Sequence, residues 1–314
     1  MKAAIYDAYG GADTLRIADI EKPVIGEDEL LVRVRAAAVN PKDVFIRKGR
    51  FAQWTGHAFP MQTGFDFAGE VADVGSKASG LQIGEPVYGM LDGWLGRTCA
   101  EFVAAKPHQL SRKPANLSFE EAAALPLASL TALQALRDEA GIKEKSRVCI
   151  NGASGGVGSL AVQIAKIFGA TVTAISSAQN HPFLQSLGAD ECIDYHRTDV
   201  TQGHSAVDIF FDVFGNRPFD QVQPILTDAG IWVSTVLKAE VVQAVERTKD
   251  STGQKARMVI VLAERKDLEL LCRWAEGGLI KPVIHDIYPL AQIADAHRQQ
   301  ETKHTRGKLI VRID

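Results

Sequence analysis

Through residues 1 to about 110 the apolar positions alternate with polar ones or run in short blocks, the period of half-buried and buried strands. Met1 to Ala8, Thr14 to Asp19 and Glu29 to Ala37 read as strands, broken by Gly10-Gly11, Pro23 and Gly26. Leu30 to Ala37 is the clearest, with Arg33 and Arg35 on its wet face. Asn40-Pro41 predicts a turn into a short helix that Gly49 stops. Phe65 to Gly75 is a strand that must carry charges among apolar residues, and Val87 to Met90 and Ala100 to Val103 follow as shorter ones. Many short strands with glycine punctuation predict a partly open barrel.

Near residue 118 the pattern changes. Ser118, with Glu121 three residues on, predicts a capped helix start, and Ala122 to Ala135 continues helical with an interruption at Pro126. From Val148 strands and helices alternate. The strands are Val148–Asn151, Thr171–Ser176, Val207–Val213, Ile231–Val236 and Met258–Leu262. Right-handed crossovers between them predict a doubly wound parallel sheet with helices on both faces, an α/β fold. Asp267 to Ala275 is a further helix ended by Gly277-Gly278, and Gly307 to Ile313 is a strand expected to return to the first domain's sheet.

The stretch from Val148 to Gly158 joins an apolar strand to an amphipathic helix through Ala153-x-Gly155-x-x-Gly158. Glycines permit a tight turn and close approach of a ligand, and a helix N-terminus favours phosphate, so this is a Rossmann-type dinucleotide site with alanine in the first glycine place. About 20 residues beyond the turn an Asp or Glu would accept from the ribose 2′-hydroxyl of NADH. This chain has Ile175-Ser176-Ser177-Ala178-Gln179-Asn180-His181 there, with no carboxylate. Hydroxyls and an amide donate to a phosphate without charge conflict, which favours NADPH over NADH. No Lys or Arg stands in that stretch; His181, Tyr195, His196 and Arg197 are the nearby candidates.

Composition narrows the function classes. The chain has 314 residues, enough for two domains, with 46% apolar and 23% charged residues. A formal net charge of −3 gives no reason to expect nucleic acid or an anionic membrane as a partner. No apolar run approaches the ~20 residues that span a bilayer, and Met1 to Tyr6 opens directly as a strand, so a cytoplasmic location is expected. The four cysteines, Cys99, Cys149, Cys192 and Cys272, form no C-x-x-C pair and read as reduced thiols. His57 and His108 lie far from any cysteine, so no zinc set is visible, nor a nucleophilic triad. Asp43, Asp66 and Glu70 are candidates for proton transfer, with capping of the 41–48 helix or pairing with Arg47 as the structural reading of each.

The chain resembles the medium-chain dehydrogenase/reductase superfamily and, within it, the zinc-free quinone oxidoreductases similar to zeta-crystallin. The likeness runs over nearly the whole length and rests on Val39-Asn40-Pro41-Lys42-Asp43, Gly64 to Val71, Ala123 to Pro126, Ser129 to Ala132, the Asn151–Gly158 turn, Leu187 to Asp190 and Arg306-Gly307-Lys308. It implies a β-rich GroES-like catalytic domain over 1–122 and 264–314 and a Rossmann domain over 123–263. Zinc-dependent members have a cysteine at the place of Asn40 and Gly-His-Glu at that of Gly64-Phe65-Asp66, so no metal is expected. The resemblance implies that Asn40 and Asp43 lie beside the nicotinamide end. Thr131 and the turn Ala153, Ser154, Gly155, Gly156, Val157 would hold the diphosphate. Ser176 and Tyr195 would meet the 2′-phosphate, with Arg306 nearby, and Phe214 the nicotinamide ribose. Members often have tyrosine where this chain has Phe45, which excludes a tyrosine proton donor there, and many have Lys or Arg at Asn180.

The expected activity is hydride transfer from NADPH to a quinone or α,β-unsaturated carbonyl without zinc, in a pocket lined by Phe45, Trp54, Phe65, Met90 and Trp94. Core packing is an equal reading of Phe65, and no residue stands out as the proton donor. The alternatives are an enoyl-thioester reductase and a non-catalytic NADPH-binding protein. The family likeness also implies a homodimer through the edge of the nucleotide sheet.

Overall fold

The computed structural model describes residues 1–201 and 206–314. The chain divides into two compact units, Met1–Leu127 with Leu262–Asp314, and Ala128–Val261.

The first unit opens with β1 (Lys2–Tyr6), β2 (Leu15–Asp19) and the long β3 (Leu30–Val39). In β3 every residue is buried except Arg33, which is exposed, and Arg35, which is half-buried and reaches across to Glu70 at 2.9 Å. Helix α1 (Pro41–Arg47) and the short α2 (Ala52–Thr55) follow, then β4 (Met61–Gln62), β5 (Asp66–Val74), β6 (Pro86–Met90), β7 (Phe102–Ala105) and β8 (Leu110–Arg112). Helix α1 starts at Asn40 because its backbone N–H donates to Asp43 Oδ2 (2.8 Å) and Pro41 cannot sit deeper in a helix. Among the described residues these strands form an antiparallel sheet β2-β1-β4 and a larger sheet built on β3, β5, β6 and β8, with β7 also on β3. Helix α3 (Phe119–Ala123) is capped by Ser118, whose Oγ accepts from Glu121 N–H while Glu121 returns the bond to Ser118 N–H. A second helix, α4 (Pro126–Gln134), begins at the proline and carries the chain into the second unit, so the expected interruption is a break between two helices.

The second unit runs β9 (Arg147–Asn151), α5 (Gly156–Ile167), β10 (Thr171–Ser176), α6 (His181–Ser186), β11 (Glu191–Asp194), β12 (Val207–Asp212), α7 (Phe219–Val222), β13 (Leu226–Ser234), α8 (Ala239–Arg247) and β14 (Lys255–Met258). Among the described residues these strands make one sheet in the order β11-β10-β9-β12-β13-β14, every pair parallel. That is the doubly wound order, and its reversal point lies between β9 and β12. Phe210, Trp232, Ile225 and Val222 pack one face of it.

The chain then returns through α9 (Arg265–Glu276), β15 (Ile284–Pro289), α10 (Ile293–Glu301) and β16 (Lys308–Arg312), and β16 pairs antiparallel with β3, Leu309 opposite Val39. Three sequence expectations need correction. The strand expected over Met258–Leu262 lies at Lys255–Met258, because its partner β13 ends at Ser234, opposite Met258, and the last bond between them runs from Val259 N–H to Ser234 O (3.0 Å). The strand expected from Ile231 starts at Leu226, its first part disguised by Asp228-Ala229-Gly230. Strand β11, four residues with Glu191 exposed, carries too little period to be read.

Candidate active site

In the second unit the dinucleotide turn is built where β9 ends. The left-handed conformation falls on Gly152 (φ 81°), one residue before Ala153. The tight turn is therefore made by Gly152, and Ala153 needs no glycine freedom. Among the described residues no side chain caps α5, whose N-cap is Gly155, so the N–H donors of its first turn have no capping acceptor. A Cβ on Gly155 would have only Gly152 O within 4 Å, at 3.6 Å, so this position is open space beside a helix N-terminus. These features fit a diphosphate.

A second network braces the turn. Asn151 Nδ2 donates to Asp212 Oδ1 (2.7 Å) and Asn216 Oδ1 (2.8 Å), while the Asp212 carboxylate accepts from Gly215 N–H (2.8 Å) and Arg217 N–H (3.0 Å). Burial pushes the Asp212 carboxyl above its ordinary range, partly opposed by those donors. Phe214, on the loop so held, is exposed and lies against the turn, its Cβ 3.2 Å from where a Gly152 Cβ would be. Thr131 is buried on α4, whereas Ser154, Gly155, Gly156 and Val157 are half-buried.

Ser176 and Tyr195 are neighbours, Tyr195 N–H donating to Ser176 O (3.3 Å). Their side chains differ in access. The Ser176 side chain is buried and its hydroxyl donates to Ser177 O (3.1 Å), whereas Tyr195 is exposed and packed on His196. Ser177, half-buried at the same strand end, receives Asn180 Nδ2 on its Oγ (3.1 Å). Arg306, in the first unit, is exposed, its backbone N–H donating to His285 Nδ1 (3.3 Å).

The first unit places Asn40, Asp43, Asp66 and Lys308 together where β3, β5 and β16 meet. All four are buried. Lys308 Nζ donates to Asn40 Oδ1 and to Asp66 Oδ2 (3.0 Å), and Asn40 Nδ2 donates to Asp66 Oδ2 (2.9 Å). Asp66 Oδ1 accepts from Leu127 N–H (2.6 Å). Asp43 accepts from the N–H groups of Asn40 and Gly64 (2.8 Å each) and from Thr63 Oγ1 (3.3 Å). Burial, opposed by those N–H donors, pushes the Asp43 carboxyl up to about 6. Asn40 and Asp43 thus spend their polar side-chain atoms inside the unit. Arg47 pairs with Glu301 on α10 and with His297, and Glu70 with Arg35, so neither Asp43, Asp66 nor Glu70 is the partner of Arg47.

The five aromatic and apolar residues expected to line a pocket separate into two groups. Phe65 and Met90 are buried at 1% exposure each, which for Phe65 is the core reading held equal in the sequence and for Met90 replaces an exposed pocket position with a core one. Trp54 and Trp94 stack at 4.9 Å and 10°, with Phe51 4.8 Å from Trp94 and Phe45 next to Phe51. This patch is partly exposed, Trp54 at 46%.

Comparison with known proteins gives this arrangement a family. Residues 26–133 match the alcohol dehydrogenase GroES-like domain and residues 187–311 the domain named zinc-binding dehydrogenase. The chloroplast envelope quinone oxidoreductase homolog of Arabidopsis thaliana is 33% identical over 99% of this chain and 98% of its own. The chain belongs to the quinone oxidoreductase family of medium-chain dehydrogenases/reductases. The NADPH-dependent alkenal/one oxidoreductase of the same plant is 35% identical over 99% of this chain and 79% of its own. The solved quinone oxidoreductase of Coxiella burnetii superposes with a TM-score of 0.93 at 33% identity, covering 100% of this chain and 99% of that one. As a member of the quinone oxidoreductase family the protein is a nicotinamide-nucleotide oxidoreductase acting on small molecules, with a GroES-like and a Rossmann-type domain. Among the described residues no helix is long and apolar enough to cross a membrane, and no three His, Cys, Asp or Glu side chains are grouped as a metal site.

For this quinone oxidoreductase family member, Lys308 and Lys42 stand in motifs that carry the resemblance, but the sequence reading assigned neither a role. Each looks like an ordinary lysine, one in an apolar strand and one in a helix's first turn. The ammonium positions follow from partners 242 residues away for Lys308 and 51 for Lys42, which no local pattern carries.

Proposed function

We propose that the protein reduces a quinone or an α,β-unsaturated ketone or aldehyde with NADPH, without zinc. The observation that carries the reading is the buried Lys308 ammonium between Asn40 and Asp66, positions at which zinc-dependent relatives place a cysteine and the Gly-His-Glu carboxylate. A fixed cation there satisfies the carboxylate that a metal site would need, and Asn40 supplies no thiolate. The uncapped start of α5 would hold the diphosphate through Ser154, Gly155, Gly156 and Val157. When bound, the reduced nicotinamide supplies the hydride. Ser177, Tyr195 and His196 would meet the 2′-phosphate, Ser176 setting the strand end. The Asp43 and Asn40 network would fix the start of α1 toward the nicotinamide, and Phe45, Trp54 and Trp94 would stack on a flat acceptor. Names of relatives such as the NADPH-dependent alkenal/one oxidoreductase support the same direction.

The test is oxidation of NADPH and of NADH with benzoquinone, an ortho-quinone, a small enone and crotonyl-CoA as acceptors. Turnover of a quinone or enone is expected, with kcat/KM for NADPH about tenfold or more above NADH, the worth of one charge-assisted hydrogen bond. Preference for crotonyl-CoA would move the protein to enoyl-thioester reduction. NADPH binding by fluorescence with no turnover would make it a non-catalytic binder, and equal use of NADH would remove the 2′-phosphate role.

We further propose a homodimer through β14. It is an edge strand of the nucleotide sheet among the described residues, and Ile260 just beyond it is 67% exposed. Light scattering should give twice the chain mass, shifted toward the monomer by Ile260→Asp. A monomeric mass for the unaltered protein at micromolar concentration overturns it.

A further inference from the structure

Lys42 stands in an environment that a surface lysine does not have. It is half-buried on the first turn of α1, beside Asn40 and Asp43, and its Nζ lies 3.9 Å from the centre of the Phe65 ring and 5.5 Å from that of Trp94. One of its three N–H bonds goes to Gly93 O (2.6 Å). Trp94 is in turn stacked on Trp54, so the ammonium sits at the margin of the aromatic patch. Stabilising the 91–96 loop alone would account for the bond to Gly93. It would not require an ammonium held against two aromatic faces with donors to spare.

We propose that Lys42 is a catalytic residue that receives the acceptor oxygen as it becomes negative, and that the acceptor lies flat against Trp54 and Trp94. This rests on the reading of the protein as a quinone or enone reductase. Hydride adds to one carbon of the conjugated system with its electron pair. The displaced π pair moves through the conjugation to the carbonyl oxygen, giving an enolate. For a quinone this is the non-aromatic tautomer of the hydroquinone, and it becomes the hydroquinone by passing a proton from the new sp3 carbon to oxygen through water. Lys42 donates a hydrogen bond to that oxygen and then its proton, leaving the alcohol or enol and a neutral amine, which takes a proton back from water. Cation and aromatic wall together select planar ring acceptors over short aliphatic ones, since ring stacking and the oxyanion contact are made at once.

The charged groups facing Lys42 are Asp43 on α1, Asp66 on β5 and Asp92 on the loop after β6. Asp92 is itself engaged by His108 Nε2 (2.9 Å) and by Ala263 N–H (2.8 Å). Desolvation nonetheless lowers the lysine from its ordinary value, the three carboxylates only opposing it. The proton is therefore given up more readily than by a solvated lysine, and the activity should fall on the alkaline side at a pH below the usual lysine range.

The experiment compares the full-length protein with Lys42→Met and Lys42→Arg in two assays. The first needs no cofactor: 4-nitrophenol stands in for the reduced, anionic acceptor, and its absorbance reports both binding and ionisation. The unaltered protein should bind the phenolate and lower its apparent pKa, Lys42→Met should lose both effects, and Lys42→Arg should keep them. In the second, kcat for benzoquinone should fall about 10²- to 10³-fold in Lys42→Met, as when an oxyanion donor is removed. Its alkaline limb should vanish, and in Lys42→Arg the limb should move to higher pH. Equal nitrophenolate binding in all three proteins, or an unchanged pH profile in Lys42→Met, overturns the role of Lys42. If Lys42→Met does not fold, absence of a nitrophenol shift in the unaltered protein or its loss in Lys42→Arg overturns it. Absence of quinone and enone turnover by the unaltered protein instead overturns the reductase reading, whichever way the nitrophenolate result falls.

Discussion

Asp66→Ala is expected to destabilise the protein by about 3–5 kcal/mol, the cost of leaving a buried charge without its partner. Asp66 is 0% exposed, and its carboxylate is the counter-charge of Lys308, whose side chain is 6% exposed. Removing it leaves the ammonium with the Asn40 oxygen, leaves the Asn40 amide only its longer bond to Ala38 O (3.4 Å), and takes the carboxylate acceptor from Leu127 N–H. Lys308→Met should cost a similar amount by leaving the carboxylate unpaired. The two losses should not add: Asp66→Leu with Lys308→Met removes both charges together and should recover much of the loss. Denaturant midpoints of the three variants at constant m-value check this. A loss below about 1 kcal/mol for either single change would mean that water reaches the pair and that the junction of β3, β5 and β16 is not held by it.

Gly158→Val should abolish measurable NADPH binding and lower stability together, whereas Gly155→Ala should weaken binding with the melting temperature unchanged. A Cβ on Gly158 would stand 2.2 Å from Gly152 O and 2.6 Å from Ala153 Cα. Both are backbone atoms, so no side chain can rotate away and the turn itself must open. Overpacking of this kind costs about 1–3 kcal/mol in a core, and here it also moves the N–H groups that would hold the diphosphate. On Gly155 the same carbon meets nothing closer than 3.6 Å and intrudes only on the space a ligand would take. Quenching of NADPH fluorescence, read beside the melting temperature, separates the two. Full binding by Gly158→Val would show that the turn is not the cofactor clamp.

The difference between these glycines was half legible in the chain. Ala153-x-Gly155-x-x-Gly158 between a strand and an amphipathic helix is a local signal, because strand, turn and helix are adjacent in sequence and each has its own period. Only the backbone shows that Gly152 takes the left-handed place, which makes the alanine harmless. Likewise the missing carboxylate after Ile175 was visible at once. That the Ser176 hydroxyl turns inward to Ser177 O depends on how β10 ends against β11.

By itself the sequence determined the alternation of periods, and with it a β-rich first part, a doubly wound nucleotide sheet and a returning last strand. These are set by which face each residue must bury, and a window of about ten residues holds that information. The tertiary structure decided the electrostatics. Lys308 meets Asn40 and Asp66 across 268 and 242 residues, and Lys42 meets Phe65, Gly93 and Trp94 only when β5 and the 91–96 loop fold over α1. Hydrophobic periodicity is local and survives translation into one dimension. The field at a buried ammonium is the sum over groups that the fold alone brings within a few ångströms of it.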